Sequence, residues 1–150
     1  VQYQLTEAWD VMATYGYLES EYDYYLADLS VDVVITDNSD LVPRNTPENT
    51  FGLTTSYTAR VGNGDLKARI SYRFRDSMES ESQNNPLGSL DSIHNVNANI
   101  NYTINNYGIS VWGRNITDER EQRWSTIGGL TSRGWWNEPA TYGVTFSASF

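Results

Sequence analysis

The residue types that support covalent or metal chemistry are sparse in this sequence. His94 is the single histidine and the chain has no cysteine, so the ligands of a transition-metal site are missing. Serine, histidine and aspartate all occur, but no nucleophile motif surrounds them. Glu119 and Glu121 are close in sequence, yet we expect them in an exposed loop without the apolar pocket that acid–base catalysis needs. The sequence therefore predicts neither an enzyme nor a bound cofactor or metal.

The composition is acidic and rich in aromatic residues. A formal net charge of -9 argues against a nucleic-acid partner, because phosphate binding requires clustered lysine and arginine. Eleven tyrosines and five tryptophans favour strands whose surfaces are partly apolar and partly wet. No apolar run approaches the roughly 20 residues of a membrane helix. The opening "VQYQL" is typical of a strand already under way, so we expect the chain to be part of a longer protein.

Six segments alternate between apolar and polar residues with a period of two, which is the pattern of a strand with two different faces. The clearest runs from Leu66 to Phe74, where apolar residues alternate with Lys67, Arg69, Ser71 and Arg73. The others lie at residues 9–17, 51–60, 95–104, 107–114 and 140–150. The sequence predicts an all-β fold, an antiparallel up-and-down meander of about six long strands.

Short and long connections follow one another in strict order. "GNGD" at Gly62 to Asp65 and the pair Asn105-Asn106 predict tight turns. Long loops are predicted at about Tyr25 to Glu48, Asp76 to Asp91 and Thr117 to Glu138. In a meander, this order places every long loop at one end of the sheet and every tight turn at the other.

Alternation alone fits both a soluble lipocalin-like barrel and an outer-membrane barrel, because only the direction of the apolar face differs. Three long loops on one rim favour the membrane barrel. Aromatic residues also fall near both strand ends around an aliphatic belt, as in the interface girdles of membrane barrels. The tight-turn band is Trp9, Tyr57, Tyr102, Tyr107 and Phe150. The long-loop band is Tyr15, Tyr17, Phe51, Phe74 and Tyr142.

The charged residues decide which face meets lipid. Each arginine or lysine facing lipid at mid-depth costs about 2–4 kcal/mol, and four share one face of the third segment. We therefore expect the polar face to line a wet lumen, with the asparagines of the next segment, Asn95, Asn97, Asn99 and Asn101, beside the cations and supplying side-chain carbonyls to them. The predicted lumen-facing residues are Arg60, Lys67, Arg69, Arg73, Arg75, Asn97, Asn99 and Arg114.

The C-terminal third resembles the end of TonB-dependent outer-membrane receptors. "NITDE", Asn115 to Glu119, is similar to that family's Asn-aliphatic-x-Asp turn, with Asn115 and Asp118 as its motif residues. A long loop follows, and then "EPATYGVTFSASF" resembles the family's last strand, which ends in Phe. The earlier "TEAWDVMATYGYLESEY" is also similar to a strand of the family.

This resemblance implies a larger architecture. Such receptors form a barrel of about 22 strands, plugged by an N-terminal domain. Residues 1–150 would be the C-terminal portion of the transmembrane barrel, with the plug, the TonB box and the earlier strands outside this sequence. The last strand resembles the signal that the barrel assembly machinery reads and the strand that closes the barrel. Its residues are Tyr142, Gly143, Phe146 and Phe150.

The implied function is import of a scarce ligand across the bacterial outer membrane, with energy relayed by TonB. The ligand would be a ferric siderophore, haem, cobalamin or an oligosaccharide. The implied partners are membrane lipid and lipopolysaccharide, the protein's own plug, TonB, the assembly machinery and the imported ligand. A passive porin or adhesin-type barrel and a soluble lipocalin-like binding barrel remain as alternatives.

Three features of the loops and lumen have two interpretations each. The lumen cations attract an anionic chelate or pair with acids of the plug. Trp135 and Trp136 stack on a sugar or aromatic chelate, or pack against neighbouring loops. The acidic residues of the first long loop bridge divalent cations to lipopolysaccharide, or are simply solvated. These acids are Glu19, Glu21, Asp23, Asp28, Asp32, Asp37, Asp40 and Glu48.

The terminal aromatic residue gives a first testable prediction. Phe150→Ala in the full-length protein should lower the amount of receptor in the outer membrane, because the assembly signal loses its final ring. Quantitative blotting of outer-membrane fractions measures this. Unchanged levels would contradict the assigned role of the C-terminus.

Overall fold

The computed structural model describes residues 1–30, 32–128 and 131–150 and consists of strands and loops. Within these residues, no helix has the length and hydropathy to cross a bilayer. The strands, in chain order, are β1 (Gln2–Thr6), β2 (Trp9–Tyr17), β3 (Leu26–Ala27), β4 (Thr36–Asp37), β5 (Asn49–Val61), β6 (Gly64–Arg75), β7 (Met78–Glu79), β8 (Ser89–Leu90), β9 (Ile93–Ile104), β10 (Tyr107–Arg114), β11 (Gln122–Gly128), β12 (Thr131–Trp136) and β13 (Thr141–Ala148).

One seven-stranded antiparallel sheet forms the body of the molecule. Its order is β1-β2-β5-β6-β9-β10-β13, so each long strand pairs with its neighbours along the chain. Six of the strands coincide with the six alternating segments, and β1 is the strand whose end was expected at "VQYQL". The all-β meander predicted from the sequence is confirmed.

Both predicted tight turns are present. β5 and β6 are paired from Val61 and Gly64 outward, which leaves Gly62 and Asn63 as a two-residue loop. Gly62 has φ of 59°, the left-handed conformation that glycine adopts without steric cost. Asn105 takes the equivalent place between β9 and β10 with φ of 50°, a region that asparagine tolerates better than most residues.

Three long loops leave the opposite end of the sheet: loop 1 (residues 18–48), loop 2 (76–92) and loop 3 (115–140). Each carries a short two-stranded hairpin, formed by β3–β4, β7–β8 and β11–β12 respectively. Loop 1 starts earlier than the predicted Tyr25. The two ends of loop 1 meet directly after β2, where the Leu18 N–H donates to the Glu48 carbonyl at 2.9 Å.

The loops pack on one another. Ser80 of loop 2 donates to the Ser125 carbonyl of loop 3 at 2.9 Å, and Ser125 donates back to the Leu87 carbonyl at 3.1 Å. Asn84 of loop 2 donates to, and accepts from, the backbone of Val42 in loop 1. Leu90, beside this junction, is 1% exposed. The closely packed interior of this chain is therefore at the loop end.

The sheet has an apolar face and a polar face. On the apolar face, Ile70, Ile100 and Val144 are 52%, 51% and 55% exposed, so no other described part of the chain covers them. Monomeric soluble proteins rarely expose a contiguous apolar surface of this extent, whereas membrane barrels present one to lipid. Their exposure agrees with the predicted direction of this face.

Aromatic side chains form a row on the apolar face at the loop end. Tyr15 pairs with Phe51, Phe51 with Phe74, and Phe74 with His94. The Phe74 and His94 ring centroids are 5.0 Å apart. Tyr72 extends the row, with its hydroxyl 2.8 Å from His94 Nδ1. The sequence-predicted band thus gains Tyr72 and His94, whose polar groups suit the wet edge of a bilayer.

A matched pair of substitutions tests the assignment of the faces. Val111 lies on the apolar face between Ile100 and Val144, and its neighbour Ser110 lies on the polar face. Val111→Arg in the full-length protein should destabilise the barrel by about 2–4 kcal/mol, because the charge enters hydrocarbon. Ser110→Arg should change stability much less. Denaturant titration in lipid vesicles measures both, and equal effects would contradict the assignment.

Candidate functional site

A large cavity lies against the polar face at its loop end. It has a volume of about 1150 Å³ and is bounded by β2, β5, β6, β9, β10 and the returning loop 3. Among the described residues that line it, the charged ones are Arg73, Arg75, Arg114, Arg123, Glu121 and Glu138. The cavity thus carries a net positive charge in a chain of net charge -9.

The predicted lumen residues fall on this polar face, spread along its length. Arg73, Arg75, Asn97 and Arg114 border the large cavity. Arg69 and Asn99 are directly paired and border a second cavity of about 390 Å³, with Asn97 and Arg114 shared between the two. Lys67 borders a third cavity with Arg69, and Arg60 pairs with Asp65 beside the tight turn. The loop end alone brings several cations to one cavity.

The asparagines of β9 lie beside the cations, but Asn95 and Asn97 form their hydrogen bonds with each other and with Asn115. Asn97 donates to Asn95 at 2.9 Å and accepts from the Asn115 N–H at 2.9 Å. Asn95 in turn donates to the Asn115 side chain at 3.5 Å. The expected pairing of asparagine carbonyls with the arginines is wrong for Asn95 and Asn97, because the β10–loop 3 junction uses these amides.

Two of the arginines have structural contacts. The Arg75 guanidinium donates to the carbonyls of Asp76 and Asp91, at 2.9 and 3.1 Å, and so joins both ends of loop 2. Arg114 lies over the Trp112 ring, with its Cζ 5.3 Å from the centroid. Cation–π contact of this kind holds the guanidinium near the polar face while its edge stays free to meet another group.

Glu121 is buried in the cavity wall, with 6% of its surface exposed. The expectation of an exposed Glu121 is wrong, because loop 3 folds back over the polar face. Its backbone is fixed by Asn137: the Glu121 N–H donates to Asn137 Oδ1 at 3.0 Å, and the Asn137 N–H donates to the Glu121 carbonyl at 2.8 Å. Its Oε2 lies 3.6 Å from Nη2 of Arg73. Among the described residues, that oxygen has no hydrogen-bond partner.

Asn115 of the "NITDE" turn closes the base of loop 3. Its side chain is buried, and its Nδ2 donates to the carbonyls of Glu119 and Glu138 at 3.0 and 3.1 Å. Its Oδ1 accepts from the Glu119 N–H at 3.0 Å. One amide therefore joins the start and the end of the loop. Asn115 also has φ of 49°, which asparagine tolerates.

Asp118 completes the same closure. Its Oδ1 accepts from the Ala140 N–H at 2.9 Å, just before β13 begins. Its φ of 51° returns the chain towards the strand. The tyrosine hydroxyl of Tyr142 donates to the Ile116 carbonyl at 3.2 Å. The residues of the predicted turn motif thus act together to anchor the loop that carries Glu121.

The loop 3 hairpin presents aromatic rings. Trp136 borders the large cavity and is exposed, as is its neighbour Trp135. Trp135 instead packs against Trp124 on the other strand of the hairpin, with ring centroids 5.8 Å apart. The two predicted loop tryptophans therefore differ in position: Trp136 belongs to the cavity and Trp135 to a pair on the hairpin.

Gly143 has a packing role in β13. It pairs with Trp112, and a Cβ at this position would collide with the Trp112 ring. The Trp112 Nε1 donates to Thr145 Oγ1 at 3.2 Å, so the ring lies flat over the last strand. Trp112 is thereby placed on the polar face, under Arg114. Phe146 and Phe150 are fully or largely exposed, and Phe150 follows the end of β13.

The described residues hold no group of three or more histidine, cysteine or acidic side chains arranged for a metal. His94 is on the apolar face, away from the cavity. In loop 1, Asp37 accepts from the N–H and hydroxyl of Ser39, at 3.0 and 2.6 Å, which lowers the pKa of this carboxyl. The acidic side chains of loop 1 organise its own turns in this way.

Comparison with known proteins gives the fold. No protein-family model and no curated protein sequence matches the chain. The ferric yersiniabactin uptake receptor FyuA from Yersinia pestis is similar over 99% of this chain and 22% of its own, with a TM-score of 0.80 and 15% identity. The siderophore receptor PiuA from Acinetobacter baumannii is similar over 97% of this chain and 20% of its own, with a TM-score of 0.71 and 20% identity.

This chain has the fold of a receptor barrel segment. It spans about a fifth of the length of either receptor.

Sequence reasoning missed Arg123 and Asn137 in the cavity wall and misplaced Glu121. Arg123 and Asn137 carried no signal, because both lie in a loop without periodicity. Glu121 was noticed, but its burial depends on the fold of loop 3 and not on its neighbours in sequence. The "NITDE" motif pointed to the turn that anchors the loop, and only the structure connects this turn to the cavity.

Asn115→Ala should loosen loop 3. The Glu138 carbonyl and the Glu119 N–H would lose this partner, and the Glu119 carbonyl would keep the bond from Asn137 Nδ2, at a cost of about 1–3 kcal/mol for the loop base. Limited proteolysis of the full-length receptor should then cut loop 3 faster than in wild type. Thr117→Ala, at an exposed residue of the same turn, is the control and should leave cleavage unchanged. Equal cleavage in all three proteins would contradict the anchoring role.

Proposed function

We propose that this chain is part of an outer-membrane receptor that imports a scarce ligand with energy relayed by TonB. The observation that carries the proposal is the two-faced sheet: an uncovered apolar face and a polar face with a basic cavity under converging loops. The fold shared with two siderophore receptors supports it. Among the scarce ligands considered, this similarity favours a ferric siderophore over haem, cobalamin or an oligosaccharide.

The proposal places residues 1–150 in the C-terminal portion of the transmembrane barrel. Both similar receptors are about five times as long as the region that matches, which leaves ample length for further strands and a plug domain. The edges β1 and β13 expose backbone N–H and C=O groups that lipid cannot satisfy, so further strands must pair with them. The location is then the outer membrane of a Gram-negative bacterium.

The polar face divides into two functional zones in this proposal. Arg60, Lys67 and Arg69 lie deeper, towards the tight turns, and pair with acids of the plug. Arg73, Arg114 and Trp136 lie at the mouth and meet the incoming ligand. Phe146 and Phe150 face outward at the tight-turn end, where they are accessible to the barrel assembly machinery.

A passive porin shares the barrel but needs no energy. The large loops of this chain interlock over the mouth, through contacts such as Ser80 to Ser125, and so favour a gated receptor over an open pore. A lipocalin-like barrel would hold Ile70, Ile100 and Val144 inside, whereas all three are exposed here.

Uptake measurements test the proposal. Deletion of the gene for the full-length receptor should abolish growth on a ferric siderophore as sole iron source, and plasmid expression should restore it. Restoration should require TonB, since the family uses inner-membrane energy. Uptake that continues in a TonB-deficient host would indicate a porin. Undiminished uptake in the deletion strain, with no other receptor induced, would contradict the transport role.

A further inference from the structure

The mouth cavity has a charge opposite to that of the chain. Four arginines and two glutamates line it among the described residues, while the chain as a whole carries -9. A cavity of this kind favours an anion, because its four arginines outnumber its two glutamates.

The arginines differ in how far their contacts occupy them. Arg75 already donates to two backbone carbonyls at the base of loop 2. The Arg73 side chain is 57% exposed and meets only the distant oxygen of Glu121, at 3.6 Å, beyond hydrogen-bond range. Arg114 is exposed and rests on Trp112. Arg73 and Arg114 therefore offer their guanidinium edges to a ligand.

Glu121 is the anionic side chain that faces Arg73 in this structure. Its carboxylate is more than nine-tenths buried, and its Oε2 has no hydrogen-bond partner among the described residues. A buried carboxylate oxygen left in this state is costly, and a pair at 3.6 Å recovers little of that cost. A ligand oxygen at hydrogen-bond distance from Arg73 would make a better partner than Glu121 does.

Trp136 adds an apolar flat surface to the same cavity. It is exposed on the loop 3 hairpin, next to the exposed Arg123 across the cavity wall. Indole faces stack well on other rings, and arginine edges bind the oxygen atoms that such rings carry. The combination suits a ligand whose negative charge is borne by oxygens on aromatic rings.

We propose that the mouth cavity binds an anionic ferric chelate with aryl oxygen donors, of the catecholate or phenolate class. Arg73 and Arg114 bind its oxygens, Trp136 stacks on a ring, and the ligand replaces Glu121 as the partner of Arg73. This inference rests on the proposed function and narrows it. A neutral hydroxamate chelate carries no net charge for the arginines to attract and is therefore bound more weakly.

Two synthetic probes test the chemistry: the ferric complexes of a tris-catecholamide, which is a polyanion, and of a tris-hydroxamate of similar size, which is neutral. Binding to the purified full-length receptor is measured by tryptophan fluorescence quenching. The tris-catecholamide complex should bind at least about tenfold more tightly. Arg73→Gln and Arg114→Gln should each weaken its binding about tenfold and leave tris-hydroxamate binding unchanged.

Glu121→Gln distinguishes a ligand that replaces Glu121 at Arg73 from one that is attracted to the positive charge of the cavity in general. Loss of the competing carboxylate should tighten tris-catecholamide binding several-fold. Arg120→Gln is the control, because Arg120 is exposed in the same loop and lies outside the cavity, so binding should stay as in wild type. Heat-modifiable gel mobility verifies that each variant has folded.

The outcomes are distinct. The inference would be overturned if the tris-hydroxamate complex bound as tightly as the tris-catecholamide complex or more tightly. It would also be overturned if Arg73→Gln and Arg114→Gln left tris-catecholamide binding unchanged. Neither result would contradict the proposed uptake of ferric chelates. If deletion of the receptor leaves the uptake of both chelates at wild-type levels, the proposed function fails, and this inference fails with it.

Discussion

The constraint on which the rest depends is that a strand in lipid must satisfy its backbone through neighbouring strands, and that its two faces meet different surroundings. The period of two in the sequence therefore places apolar and polar residues on opposite faces of the sheet. Ile70, Ile100 and Val144 are left uncovered on one side, and Arg69, Arg73 and the β9 asparagines lie on the other. Among the described residues, the buried apolar side chains are Leu90 and Ile93, and both lie at the loop end of the molecule.

The long loops need their own structural solution, because residues 18–48, 76–92 and 115–140 extend beyond the paired strands of the main sheet. Polar side chains supply it at each base. Asn49 donates to Asp76 at 2.9 Å between loops 1 and 2, Arg75 joins the two ends of loop 2, and Asn115 joins those of loop 3. Arg75, which the sequence predicts as a lumen cation, and Asn115, which belongs to the family turn motif, thus also hold the loop ends together. This dual use links the positions of the loops to the cavity that they cover.

Glu121 connects the closure of loop 3 to the cavity. Asn115 fixes the loop base, Asn137 fixes the Glu121 backbone, and the carboxylate arrives opposite Arg73. The pair is weak in its geometry, which is what a replaceable partner requires. The six long strands and the faces of the charged residues on them followed from alternation, since period two is a local property, and the two tight turns followed from their turn residues. The exposure expected for Glu121 was wrong and Asn137 was missed, since both depend on a loop crossing the polar face.

The sequence by itself determined the meander, the separation of apolar from polar faces and the placement of long loops at one end. These are consequences of strand periodicity and turn chemistry, which act between residues close in the chain. Only the tertiary structure decided that Trp112 lies over Gly143 and under Arg114, that Asn95 and Asn97 bond to Asn115 and not to the arginines, and that Glu121 is buried in a basic cavity. Those contacts join residues far apart in sequence, and their energies depend on distance and burial that no local pattern specifies.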